Sequence, residues 1–289
     1  MADAIVIWGE LLWDRFPDGD QLGGAPANVA WHLGQVGSWP QLVTRVGDDD
    51  DGRRALEILS QLVDTELVQI DRERATGEVT VRLEAGEPRY TLHAGRAWER
   101  IACTPAVLTA LETAGVFVYG TLAQRTPEGL AGWREAVAST RCTKVCDLNL
   151  RPTDQYSVAI AEAVAAADVI KVNDRELAAL RDWLGWADPL TTLRNQARVV
   201  AVTHGDRGST LYSEHGPIEI PGVPAAHAGG DNVGCGDAYL AILVHGLTSG
   251  WALADSGAAA SRYAAAVAGA RGATPLFEPE HLHDLLEPS

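Results

Sequence analysis

A carboxylate set among glycines at the start of a helix is an arrangement with few chemical uses. From Gly229 to Leu247 the chain reads Gly-Gly-Asp-Asn-Val-Gly-Cys-Gly-Asp-Ala-Tyr-Leu-Ala-Ile-Leu-Val-His-Gly-Leu. Ala238 to Val244 is apolar enough for a helix buried on most sides, and the glycines before it loosen the backbone. The first N–H groups of such a helix have no internal partners and carry the positive end of its dipole. Gly234, Cys235 and Gly236 are therefore placed to cradle an anion. Asp237 stands among them, where its charge opposes anion binding. That placement makes sense if Asp237 takes a proton from a nucleophile that then attacks the bound anion, which is phosphoryl transfer to an alcohol. A bare connection between two elements has the same composition, so the rest of the chain must decide.

Two common nucleotide motifs do not fit. Gly229 and Gly234 have the spacing of a Walker A loop, but Cys235 and Gly236 stand where Lys and Ser/Thr are needed; read as a dinucleotide fingerprint, the third glycine position is Tyr239. Asp231-Asn232-Val233-Gly234-Cys235-Gly236-Asp237 instead resembles Asp-Thr-x-Gly-Ala-Gly-Asp, the signature of the ribokinase-like (PfkB) carbohydrate kinases, with Asn for Thr and Cys for Ala. The hole uses the N–H of Cys235, so its side chain should be tolerated, whereas Asn232 is expected to brace the loop with altered geometry.

Further segments resemble that family in the family's order. Gly23-Gly24-Ala-Pro-Ala-Asn28 is similar to its sugar-binding Gly-Gly-x-x-x-Asn, which implies that Asn28 hydrogen-bonds a sugar hydroxyl. Asn173-x-x-Glu176 is similar to Asn-x-x-Glu, whose glutamate implies contact through water with the nucleotide's Mg²⁺. Thr203-x-Gly205-x-x-Gly208 is similar to the nucleotide-side Thr-x-Gly-x-x-Gly. Asp147-x-Asn149-x-Arg151 resembles a segment of fructokinases and ketodeoxygluconate kinases; Arg151 binds substrate or phosphate on this reading, or else pairs with a nearby acid. Gly272-Ala-Thr-Pro275 resembles the closing segment, which in some relatives joins Asp231 and Val233 in a K⁺ site. Gly9 to Asp14, Ala97-Trp98 and Gly120 to Gln124 give the fructokinase flavour. Asp14, after the first strand, is read as a substrate contact rather than a solvated turn residue. Trp98 is read as a sugar-stacking ring, with core packing as the alternative.

The elements that must position these residues are legible as patterns. Ala4 to Trp8 is a short apolar run ended by Gly9, as in a buried parallel strand. Leu42 to Val46 is a second strand, and Asp48 to Asp51 are acidic capping residues before a helix. Thr76 to Trp98 alternates as a hairpin with a turn at 84–88. From Val116 onward strand and helix alternate as far as Thr203, which implies a parallel sheet covered on both faces, with ligands at the strands' carboxyl ends. Thr121, Gln124, Asp147, Asn173 and Thr203 fall at such ends.

Composition removes other classes. With 23 Lys plus Arg against 39 Asp plus Glu the formal charge is −16, which disfavours nucleic acid and anionic membranes. Cys103, Cys142, Cys146 and Cys235 have neither zinc-site spacing nor the density of a secreted scaffold. His281 and His283 are read as a solvated end. No signal peptide or membrane-length apolar run is seen, so a cytoplasmic location is expected.

The expectation is thus an α/β, ribokinase-like three-layer fold over 1–289, with segments about 10–24 and 76–98 forming a small β lid that excludes water and pairs two copies. The expected activity is phosphorylation of a sugar hydroxyl, of fructose or a related ketose or sugar acid, by ATP with Mg²⁺. A nucleoside kinase of the same fold and a non-catalytic sugar sensor are the alternatives.

Overall fold

The computed structural model describes residues 4–84, 87–151, 156–225 and 230–287. Gly229 and the 85–86 tip of the hairpin turn, both named above, lie outside them. An eight-stranded sheet runs in the spatial order Gly216–Pro221, Gly208–Ser213, Val199–Thr203, Val169–Asn173, Thr143–Asp147, Ala114–Tyr119, Ala4–Trp8, Gln41–Val43. Neighbours from Val199–Thr203 to Gln41–Val43 pair in parallel, and the two edge strands after Thr203 add an antiparallel hairpin. The central strands carry apolar residues on both faces, such as Val-Phe-Val-Tyr at 116–119, because helices cover both. One face packs against the helices Pro105–Thr113, Pro127–Ser139 and Ser157–Ala166 around Trp133 and Ile160; the other receives Ala25–Gln35 and Cys235–Thr248 around Leu33 and Leu240.

A second sheet of four strands, ordered Gly19–Gly23, Leu12–Phe16, Gly77–Glu84, Glu87–Leu92, is built from the two segments expected to be a lid. Leu12–Phe16 joins Gly77–Glu84 in parallel, so a hairpin that would be marginal alone gains a paired edge. Leu12, Val79 and Val81 form its own small core.

One of these expectations is corrected and others are met. The strand over Leu42–Val46 is broken at Thr44: Gln41–Val43 stays in the main sheet, while the Thr44 carbonyl accepts from Gln69 N–H at 2.9 Å and Arg45–Gly47 pairs with Gln69–Asp71. The alternation of strand and helix ends at Thr203, as expected, and Gly208 (φ 97°) turns the chain into the hairpin. The C-terminal end is a helix, Pro279–Leu286, whose Leu282 and Leu285 pack beside Tyr263, and His283 faces Glu287 at 3.1 Å. The acidic run caps as expected: Asp49 accepts from Gly52 N–H at 2.8 Å. No helix among the described residues is long and apolar enough to cross a membrane.

Candidate active site

The Cys235–Thr248 helix begins at Gly234, which holds φ 76° and ψ −2°. That left-handed geometry suits glycine, and space enforces it: a Cβ there would stand 2.7 Å from Ala273 Cα. Before it, Asp231 Oδ1 accepts from Val233 N–H at 3.1 Å and Oδ2 from Gly272 N–H at 3.0 Å, stapling the loop to the segment behind it. Asn232 has φ 55°. Asn tolerates the left-handed region far better than a β-branched residue, so the departure from Thr agrees with the backbone found here. The Cys235 thiol is raised to about 11 by burial and by Asp237 and Asp231, and is therefore inert as a nucleophile.

Asp237 lies one turn into the helix and is buried. Asn28 Nδ2 donates to its Oδ2 at 2.8 Å, joining residues 209 apart in sequence. Burial raises the Asp237 carboxyl to about 6, Asp147 adds to the rise, and Lys171, Asn28 and Arg151 oppose it. A base of that strength is largely ionised at neutral pH and more basic than a free aspartate.

Glu176 is buried too, and its role in holding the loops is explicit. Its Oε2 accepts from Asn173 N–H at 2.8 Å and its Oε1 from Leu150 N–H at 2.9 Å, while Asn173 Oδ1 accepts from Glu176 N–H at 3.0 Å. The first and last of these make a capping box that opens the Asp174–Leu184 helix. Burial raises the Glu176 carboxyl, with Lys171 opposing and Asp147 reinforcing. Thr203 ends its strand, Gly205 (φ 66°) and Gly208 (φ 97°) take conformations that favour glycine, and a Cβ on Gly208 would meet Ile220 O at 2.1 Å. Among the described residues no cluster of three or more Asp, Glu, His or Cys could by itself hold a metal ion. The donors present are hard carboxylate oxygens already shared with amides, which fits an Mg²⁺ that arrives with phosphates and keeps its waters.

On the other side of Asp237 the groups are less settled. Gly23 lies against Asp14: a Cβ on it would be 2.4 Å from Asp14 Oδ2. At Gly24 (φ 102°) it would be 2.4 Å from the Glu10 carbonyl. Burial raises Asp14 to about 6 and Glu10 to about 7, and the Arg151 charge opposes both. Arg151 itself is exposed, and its charge acts on Glu10, Asp14 and Asp237 alike. Tyr90, on the small sheet, is 56% exposed; burial raises its hydroxyl, and the charges of Asp14 and Asp231 add to the rise while Arg151 opposes it. Glu10 Oε2 and Asn28 Oδ1 are buried with no hydrogen-bond partner among the described residues. Below them, His32 Nε2 donates to Ala273 O at 2.9 Å and Nδ1 accepts from Tyr263 OH at 3.1 Å; burial lowers His32 to about 4, so it is neutral. Gln35 Nε2 donates to Pro275 O at 2.8 Å, and Gln35 Oε1 accepts from Phe277 N–H at 3.0 Å.

Trp98 is corrected. It is fully buried, its edge abuts Gly77, where a Cβ would be 2.5 Å away, and the Arg125 guanidinium lies 4.7 Å from its ring centre. It anchors the small sheet to the core and has no face free for a sugar. Conversely, Glu10, Lys171 and Tyr90 were not singled out as site residues by the motifs. The available signal was a charged residue inside an apolar strand, Val-Ile-Lys-Val-Asn at 169–173, which must find a buried partner.

Residues 19–280 match the model of the pfkB family carbohydrate kinases. A fructokinase from Klebsiella pneumoniae is 28% identical over 272 residues, covering 86% of this chain and 86% of that protein. Among solved structures, a fructokinase with bound ATP from Xylella fastidiosa superimposes with a TM-score of 0.88 at 19% identity, covering 99% of this chain and 98% of that one. A sugar kinase from Pyrococcus horikoshii in complex with ATP gives 0.81 at 24% identity, covering 97% of each.

Proposed function

The chain belongs to the PfkB family and is an ATP-dependent carbohydrate kinase; from that premise we propose that it phosphorylates the terminal hydroxyl of a ketose such as fructose, or of a related sugar acid, with Asp237 as the base. The observation that carries this reading is the 2.8 Å Asn28–Asp237 hydrogen bond. It sets the residue of the Gly-Gly-x-x-x-Asn segment beside the carboxylate at the anion hole, so a hydroxyl held by one lies within reach of the other. The fructokinase relative of Klebsiella favours a ketose.

In this mechanism Gly23 and Gly24 let the sugar approach the backbone, while Asn28 and Asp14 orient its hydroxyls. Arg151 neutralises the carboxyls around it and offers a planar fork to a ketose oxygen or a sugar carboxylate. Asp237 accepts the proton of the attacking hydroxyl, a step worth about 10²–10⁴-fold. The amides of residues 234–236 receive the charge on the transferring γ-phosphoryl group. Asn173, Glu176, Thr203, Gly205 and Gly208 lie on the nucleotide side. Glu176 would hold Mg²⁺ through water, and the ion would supply positive charge to the phosphates during transfer. We read the small sheet as a lid that keeps water from the phosphoryl group and, through its edge strands, as a contact between two copies. A K⁺ at Asp231 and the Val233 carbonyl would share the Asp231 oxygens with two amides; replacing K⁺ by Na⁺ in the assay tests it.

The deciding experiment is sugar-dependent ADP release from Mg-ATP over fructose, ribose, ketodeoxygluconate, glucose and adenosine, with Asp237→Asn in parallel. Turnover on a ketose or sugar acid, lost by about 10² or more in the variant, is expected. Turnover on adenosine alone would make the protein a nucleoside kinase. Binding of a sugar without turnover would make it a sensor.

A further inference from the structure

Beneath the anion hole lies a buried cation that none of the motifs contains. Lys171 is 4% exposed in the middle of the parallel sheet, and its Nζ stands 3.0 and 3.1 Å from the two carboxylate oxygens of Asp147 on the neighbouring strand. A Cβ on Gly236 would be 2.8 Å from that nitrogen, so the ammonium lies beside the helix's first turn in the space a side chain there would need. An ordinary buried ion pair is locally neutral. This one is not, because Glu176 and Asp237 also face Lys171. Burial disfavours the ammonium, yet those three carboxylates hold its proton more tightly than in a free lysine. Asp237 in turn faces Asp147 and Lys171 from the strands, Arg151 and Glu10 from the loops, and Cys235 from its own helix. Without Lys171, a phosphoryl group entering the hole would meet mostly negative charge.

We propose that Lys171 is a positioning residue that charges the anion hole from beneath: fixed by Asp147 against Gly236, its ammonium allows the Asp237 carboxylate and a phosphoryl group to occupy one pocket. The inference rests on the kinase reading above. It also gives Asp147 a defined place, since the two members of the pair act on Asp237 with opposite sign. Asp147 favours the protonated form of Asp237 and Lys171 the ionised form.

The test is the pH profile of kcat/KM for the phosphorylated sugar at saturating Mg-ATP, for the parent enzyme, Lys171→Met, Lys171→Arg and Asp147→Asn, with folding checked by circular dichroism. Lys171→Met should lower kcat by about 10²-fold and move the acid limb to higher pH by about one unit. Asp147→Asn should move the limb to lower pH, and Lys171→Arg should restore much of kcat. A purely structural pair would lower the melting temperature and leave every limb in place. That result, or a Lys171→Met kcat within a few-fold of the parent, overturns the proposal. If Lys171→Met does not fold, Asp147→Asn decides alone, and an unmoved limb overturns it. Asp237→Asn, assayed alongside, separates the two ideas: an active Asp237→Asn removes the base assignment, whereas an inactive one beside an indifferent Lys171→Met removes only the role of Lys171.

Discussion

The two sides of Asp237 are built on different principles. On the side proposed for phosphate, Asp231, Glu176, Asp147 and Lys171 are hydrogen-bonded or ion-paired within the fold, and Gly234 and Gly236 leave no room for a side chain. On the side proposed for the sugar, Glu10 and Asn28 keep a buried oxygen without a partner among the described residues, Asp14 and Glu10 are pushed toward neutrality, and Arg151 is exposed. Phosphoryl transfer needs the same preorganised charge for every acceptor, so that half is complete in the free protein. Recognition of one sugar needs groups left wanting until the ligand arrives, because a wrong ligand then leaves them unpaired.

If this division is right, the steepest losses come from the finished half. Gly234→Ala, forced into a left-handed backbone 2.7 Å from Ala273 Cα, should cut kcat by about 10²-fold or more, and a kcat near that of the parent would show that the hole tolerates distortion. On the unfinished half the effect should fall on binding. Arg151→Ala should raise KM for the sugar by about 10–100-fold with a smaller change in kcat, and it should move the acid limb, near pH 6 in the parent, upward, since the guanidinium opposes protonation of Asp237. An unchanged KM would remove Arg151 from the sugar pocket.

Glu10→Gln probes the same half through stability. Moving a carboxyl from its ordinary 4.5 to about 7 by burial costs the folded state about 3 kcal/mol at high pH. A raised folded value means the folded state holds its proton longer, so this group's contribution is full below pH 4.5 and lost as pH rises to 7. Glu10→Gln should therefore raise the melting temperature at pH 8 and leave it nearly unchanged at pH 4.5; a loss at both would mean that Glu10 is satisfied. The smallest effect is expected at Asn232→Thr, where a β-branched residue at φ 55° should cost about 1 kcal/mol in a denaturant titration. A gain would mean that the loop follows its sequence and not the staple at Asp231.

The finished half was also the easier to read. Glycines whose conformation is dictated by contact lie a few residues apart in the chain, so Gly234, Gly236 and Asp237 form a local pattern. Asn173 and Glu176 are likewise one capping box. Lys171 and Glu10 carry no such pattern, since what gives them meaning is a partner brought close only by folding: Asp147 on the next strand for one, Arg151 and Asp237 for the other. Trp98 misled for the converse reason. An aromatic after a hairpin reads the same whether it faces a ligand or the core, and only Gly77 and Arg125 against its ring decide. The break at Thr44 was hidden because both halves of Leu42–Val46 are extended; what differs is the neighbour each one pairs with.

The stitching of the Ala25–Gln35 helix to residues 273–277 fixes the span over which the reaction must occur. His32, Gln35 and Asn28 bind one helix to the carbonyls behind Gly234 and to Asp237. In the proposed mechanism the distance from a hydroxyl on Asn28 to the anion hole is thus settled when the chain folds. On the lid reading proposed above, the small sheet then works as a shutter and not as a vice. Changes in it should alter how long a sugar dwells and how much ATP is wasted on water, while the speed of transfer from a seated sugar stays the same.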